Sequence, residues 1–236
     1  MLRRFMSIAL LAAAASAQGR AAAIVLWPVD PTIAAGQTAT ALWVENRGPQ
    51  PVTLQVRALG WIQADAKDSY DRQDEVVTSP PIASVAPGQR QLIRILRREI
   101  GTAAAEHSYR LLIDELPPPI DPAKPNAASA QLSVQMRYSI PLFTYDGDVA
   151  ARPALTARTV IIDGQRYAEF RNVGQRHARL VNLRIQTPAK EFTVNSGLIG
   201  YVLVGSTMRW LLPEGMPNGT ILVNVNGADT SLAPIA

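Results

Sequence analysis

Residues 130–145 read AQLSVQMRYSIPLFTY, and the pattern of this stretch decides the fold. Large apolar side chains fall on every second position, at Leu132, Val134, Met136, Tyr138, Ile140 and Leu142, with Gln131, Ser133, Gln135, Arg137 and Ser139 between them. A period of two is that of a β-strand with one apolar face. At about 3.3 Å per residue such a strand spans roughly 45 to 50 Å, more than twice the ordinary length. Three readings are open: the strand bends between two sheets, it is two strands kinked at Pro141, or it keeps an exposed apolar edge for another chain.

Upstream of it, residues 117–128 are rich in proline and alanine and read as an extended connection of polyproline II character. Before that connection come short β signals at residues 24–29, 38–45, 52–61, 89–98 and 109–116, separated by turns such as Asn46-Arg47-Gly48-Pro49 and Ala86-Pro87-Gly88. The charged stretch 63–75 reads as an exposed, solvated loop. Ser79-Pro80-Pro81 allows a cis prolyl bond. Downstream, beyond Gly147 and Pro153, a second set of strands is expected at residues 155–162, 166–172, 178–186, 200–204, 208–211 and 220–226. The Asp163-Gly164 pair between the first two is a hairpin signal. No long helix and no repeat of fixed period is legible. Short strands at this spacing predict an all-β protein built as a sandwich, and the length suits either two domains of about a hundred residues each or one large β domain.

The first residues address the protein. Arg3 and Arg4, the apolar run 5–15 and an Ala-x-Ala site form a secretory leader over 1–23, cleaved after Ala17 or Ala23. No later run reaches the roughly 20 apolar residues of a membrane span, so direct membrane insertion is not expected. Export invites disulfides, yet the chain has no cysteine, and stability is left to apolar cores. The net charge of +4 is scattered, with no Lys/Arg block, which argues against nucleic-acid binding. Enzyme chemistry has no support: no Gly-x-Ser-x-Gly elbow, no His-Glu-x-x-His, no thiol. His107 and His177 have no ligand spacing and read as loop or surface residues, and Trp27, Trp43, Trp61 and Trp210 as core or intersheet residues.

Several segments carry a resemblance. Arg110-Leu-Leu-Ile-Asp-Glu-Leu-Pro-Pro-Pro119, the proline-rich gap, and Leu132-x-Val134-x-Met136 running into Ile140-Pro-Leu-Phe143 resemble the F1 strand, loop and G1 strand of the PapD-like periplasmic pilus chaperones. Ser79-Pro-Pro81 with Ala86-Pro-Gly88 resembles that family's proline pair and D1 region. Trp27-Pro-Val-Asp-Pro31 and Ala41-Leu-Trp-Val-Glu-Asn46 look more like its archaic, Csu-type branch. The resemblance implies two immunoglobulin-like β-sandwich domains in a boomerang, here 24–146 and 147–236. It also implies a periplasmic chaperone that lends G1 to pilus subunits by donor-strand complementation and delivers them to an outer-membrane usher. No cofactor, nucleotide or metal is implied. An exported structural or adhesive tandem sandwich, as a pilus component or a carbohydrate-binding module, is the alternative.

On the resemblance, the donor strand comprises Leu132, Val134, Met136, Tyr138 and Ile140, and an exposed edge of this kind invites self-association of the free protein. The family's usual anchor for the subunit's terminal carboxylate is an Arg on the first strand and a Lys on G1. Here the Lys position falls on Pro141, and residues 24–35 contain no Arg. Arg137, Arg94, Arg97 and Arg110 are the candidate replacements, since a carboxylate requires a cation and Arg captures it bidentately. Glu115 corresponds to the family's acidic residue that pairs across the domain interface; with Tyr145 at the usual partner's position, it either holds the hinge through another partner or caps the strand.

Overall fold

The computed structural model describes residues 23–98, 106–117, 135–146 and 151–233, and every regular element among them is a strand. The expected leader, the connection before the long strand, and Leu132 and Val134 lie outside the described residues.

The first sandwich contains β1 (Ile24–Trp27), β2 (Thr32–Ile33), β3 (Ala39–Asn46), β4 (Val52–Ala64), β5 (Lys67–Asp71), β6 (Val76–Ser79), β7 (Ile82–Val85), β8 (Arg90–Arg97), β9 (Glu106–Leu116) and β10 (Arg137–Tyr145). One sheet has the order β1-β3-β8-β6; the other runs β2-β10-β9-β4-β5, with β7 also on β4. The first strand region serves both sheets: β1 pairs with β3, and after the cis Trp27–Pro28 bond β2 pairs parallel to β10 at Phe143 and Thr144. Alternation places Leu42, Val44, Ile93 and Ile95 of one sheet against Leu54, Val56, Leu111, Ile113 and Leu142 of the other, all buried in one core. On the outer face Trp27 and Trp43 stack at 6.2 Å, so these two tryptophans are not core residues as expected.

The second sandwich contains β11 (Leu155–Ile162), β12 (Gln165–Asn172), β13 (Ala178–Gln186), β14 (Glu191–Val202), β15 (Thr207–Leu211), β16 (Thr220–Val225) and β17 (Ala228–Leu232). Its sheets are β11-β12-β15 and β14-β13-β16-β17, enclosing Phe170, Leu180, Leu183, Ile185, Ile221 and Val223. The Asp163-Gly164 hairpin joins β11 to β12 as expected, with both residues at positive φ (50° and 77°).

The two sandwiches share a buried asparagine that the sequence presents only as a turn residue. In the first, Asn46 closes β3: its Nδ2 donates to the carbonyls of Gln50 and Val85, and its Oδ1 accepts from the Gly48 amide. In the second, Asn172 closes β12: its Nδ2 donates to the carbonyls of Arg176 and Val202, and its Oδ1 accepts from the Gly174 and Ala154 amides. The common Asn-x-Gly lets the chain double back tightly. A Cβ on Gly174 would lie 2.3 Å from the Ala154 amide nitrogen.

The stretch 63–75 is not wholly a loop. β4 continues to Ala64, Asp65 and Ala66 turn at positive φ (52° and 58°), and β5 returns along it. All five β5 residues are exposed, so no apolar alternation betrays the strand. β6, β7, β17 and most of β14 likewise lie beyond the expected set.

Between the sandwiches lies a third apolar cluster of Trp61, Phe143, Tyr201 and Leu203, with Tyr145 against it. Burying an aromatic or aliphatic side chain of this size stabilises by about 1.5–3 kcal/mol, so the cluster ties the two units together.

Candidate functional site

The long strand of the sequence is divided by its surroundings. β10 begins at Arg137, and Met136 just before it is 45% exposed. Tyr138 packs against the first core, and its hydroxyl donates to Glu115 at 3.0 Å. Ile140, 8% exposed, belongs to that core outright. Of the five expected donor residues, then, Tyr138 and Ile140 face their own domain, Met136 faces solvent, and Leu132 and Val134 are outside the described residues. From Pro141 to Thr144 both faces of β10 are buried, one by the core and the other toward the second sandwich.

Its edges differ as well. β10 pairs with β9 along its whole length, Arg137 opposite Asp114 through Tyr145 opposite Glu106. On the other side β2 covers only Phe143 and Thr144. Among the described residues, the main chain of β10 before Phe143 has no strand on that edge. An unpaired edge of this kind is a template for another strand.

The four candidate arginines occupy different environments. Arg94 is exposed on the outer face of the sheet that lacks β10, opposite Ala41 and Ser79. Arg97 is buried and ion-paired through Nη1 to Asp146. Arg137 pairs through Nε with Asp114, which also takes Nη2 of Arg57 at 2.6 Å. Burial opposes ionisation of Asp114, but these hydrogen bonds outweigh it and hold its carboxyl below the usual range. Arg110 lies directly across from Pro141 in the β9–β10 register. Its guanidinium carbon sits 3.8 Å from the centroid of Trp61 and 5.5 Å from that of Tyr201, and its buried Nε has no hydrogen-bond partner among the described residues.

Glu115, expected at the interface between domains, sits at the far end of β9 from it, buried in the first sandwich and bonded to Tyr138. The reason is strand direction. β9 runs antiparallel to β10, and the end of β10 that reaches the second sandwich lies beside the start of β9. The acidic residue at the junction is therefore Glu106, which accepts from the backbone amide and the ring Nδ1 of His177, both at 2.8 Å. Tyr145 is at the junction: the Arg176 guanidinium lies over its ring, and burial together with nearby Glu106 raises its hydroxyl pKa to about 12. Gln63 adds two bonds across the junction, accepting from the Leu203 amide and donating to the Tyr201 carbonyl. His177 is a junction residue rather than a surface one, whereas His107 keeps an exposed side chain, as expected of a surface residue, and bonds Asp146 at 2.8 Å. No periodicity or motif marks Glu106 or His177 in the sequence; only the tertiary register brings them together.

A sequence profile described as "Pili and flagellar-assembly chaperone, PapD N-terminal domain" matches residues 24–145, just over half of the chain. Among solved structures, a chain of the CsuC–CsuE chaperone–tip adhesion subunit pre-assembly complex, from archaic chaperone-usher Csu pili of Acinetobacter baumannii, is 28% identical. It superposes with a TM-score of 0.73, covering 91% of this chain and 100% of its own. The YadV chaperone has the same fold at 14% identity and a TM-score of 0.62, with 89% and 99% coverage. A chain of the Salmonella enterica SafA pilin complex with the SafB chaperone does so at 18% identity and 0.59, with 90% and 94% coverage. Comparison with curated protein sequences finds no match.

Proposed function

The chain belongs to the PapD family of pilus and flagellar-assembly chaperones, and we propose that within it the protein stabilises pilus subunits by strand donation from the β10 region. The observation that carries this reading is the open edge of β10 before Phe143, continuous with exposed Met136. Main-chain hydrogen bonds along that edge supply the pairing, and alternate side chains fill the subunit's groove. The donor set is Leu132, Val134 and Met136, because Tyr138 and Ile140 are already committed to the first core. Burying three such side chains is worth roughly 5 to 9 kcal/mol. Association costs about 4 to 15 kcal/mol, so edge pairing and an ionic anchor must supply the rest.

Arg110 is the anchor this reading selects. It neighbours Pro141, where the family's usual lysine is missing, and its Nε is unspent among the described residues. Trp61 holds the guanidinium plane, as bidentate capture of a terminal carboxylate requires. The leader over 1–23 would deliver the protein to the periplasm, with 24–146 as the subunit-holding domain, 147–236 as the second, and an outer-membrane usher receiving the complex.

The test is capture of the co-expressed subunit from the periplasm by the tagged protein and by a Val134→Asp, Met136→Asp double variant. The expected result is a one-to-one complex with the wild type, lost in a variant that stays folded and monomeric. Equal capture by both, or by neither, overturns strand donation.

A further inference from the structure

Glu169 projects from the outward face of the β11-β12-β15 sheet, yet it is only 4% exposed. Its cross-strand neighbours close over it: Nε of Arg158 on β11 donates to one carboxylate oxygen at 2.5 Å, and Nε of Arg209 on β15 to the other at 2.6 Å. Each arginine spends one nitrogen on Glu169. Their Nη groups have no partner among the described residues, so the carboxylate fixes both guanidinium planes while leaving their outer edges free to donate. Burial disfavours the charge on Glu169, but the two arginines prevail and keep its carboxyl below the usual range.

The next outward row of the same sheet is Thr156, Arg171 and Thr207. Arg171 is exposed and has neither ion pair nor hydrogen bond to its side chain among the described residues. The β4–β5 turn, residues 63–66, overhangs these two rows and walls a polar groove of about 520 Å³. Three guanidinium groups thus face one carboxylate that is already satisfied. Among the described residues, Asp65 on the overhanging turn is the only other acid lining the groove, which leaves their charge net positive. Two features set the class of ligand. The volume exceeds what a single small anion fills. The two basic rows are two residues apart on β12, roughly 6.6 Å, which is the spacing of alternate side chains on an extended peptide.

We propose that this groove between the β4–β5 turn and the second sandwich binds an extended acidic peptide segment with carboxylates at alternate positions, one held by Arg158 and Arg209 and the other by Arg171. The hydroxyls of Thr156 and Thr207 flank the second position. This site is separate from β10 and does not depend on strand donation.

The test is an NMR titration of the isotope-labelled full-length mature protein with the capped peptide Ac-Ala-Glu-Ala-Glu-Ala-NH2. Its Gln-for-Glu analogue and inorganic phosphate serve as the comparison ligands. Saturable shifts at the amides of residues 156, 171 and 207 are expected with the acidic peptide and not with the Gln analogue. Arg171→Gln, at an exposed position without partners, should melt as the wild type does and weaken the peptide about tenfold, the loss appropriate to one charge-assisted hydrogen-bonding group. Absence of saturable local shifts, equal binding of the Gln analogue, or undiminished binding by Arg171→Gln overturns the site. Phosphate binding as tightly as the peptide overturns the peptide assignment.

Discussion

Glu106 of the first sandwich grips His177 of the second by two hydrogen bonds of 2.8 Å, one from the backbone amide and one from ring Nδ1, while the His177 ring stacks on Phe143 with centroids 3.5 Å apart. The Glu106 side chain is almost wholly buried, so its oxygens must find hydrogen-bond donors within the protein. The relationship fixes one domain against the other at the point where β10 ends.

His177→Ala should therefore loosen the junction. It removes the stack and one hydrogen bond to a buried carboxylate, a loss of about 2 kcal/mol. Calorimetry should resolve two unfolding transitions where the wild type gives one, and hydrogen exchange should rise at Phe143 and Tyr201.

Asp146 takes Arg97 on one oxygen and His107 on the other. The Arg97 hydrogen bond, acting against burial and helped by His107, holds the Asp146 carboxyl below its usual value. A depressed folded-state pKa contributes stability that is full above the unfolded value, about 3.9, and is lost as pH falls through the folded one. Asp146→Asn removes the ion-pair partner of buried Arg97 and should cost about 3 kcal/mol at pH 7. Urea unfolding should find the gap between the two proteins narrowing below about pH 4.

Asn46→Ala and Asn172→Ala each strip partners from three or more buried or part-buried backbone groups. Each should cost about 2–4 kcal/mol. The loss should appear in the sandwich that carries the substitution, as read by the transition it shifts.

Ile140→Ala opens a cavity in the first core and should cost about 3 kcal/mol. Met136→Asp, at an exposed position, should stay within about 0.5 kcal/mol of the wild type while reducing subunit capture. Denaturation midpoints and pull-down yields on both variants check the division of β10.

Arg110→Ala should weaken subunit capture at least about tenfold, and Arg110→Lys should recover little of it, because an ammonium cannot offer the paired planar donors of a guanidinium. The equilibrium dissociation constant of the purified complex is the measurement.

The sequence was most legible where burial is one-sided. β11 and β13 occupy the ranges expected, 155–162 and 178–186, because their apolar-rich runs are bounded by turn signals. β5 was illegible because a wholly exposed strand has no apolar face, and its Asp65-Ala66 turn lacks the glycine that usually marks one. The stretch 137–145 was legible as a strand, but its alternation could not say whose core receives Tyr138 and Ile140; the sheet of the first sandwich does. Arg110 was one of four candidates, and only the pairing of β9 with β10 sets it beside Pro141.

By itself the sequence determined an all-β chain and the strand from which donation is proposed, because period two and turn chemistry act over a few neighbouring residues. It also carried the family, through local motifs that need no partner from elsewhere in the chain. Only the tertiary structure decided which side chains serve the junction. Glu106 and His177, or Glu169 and Arg209, lie on strands far apart in sequence. Their encounters follow from strand direction, register and the seating of one sandwich on the other, and a side chain's charge or reach does not reveal any of these before the chain has folded.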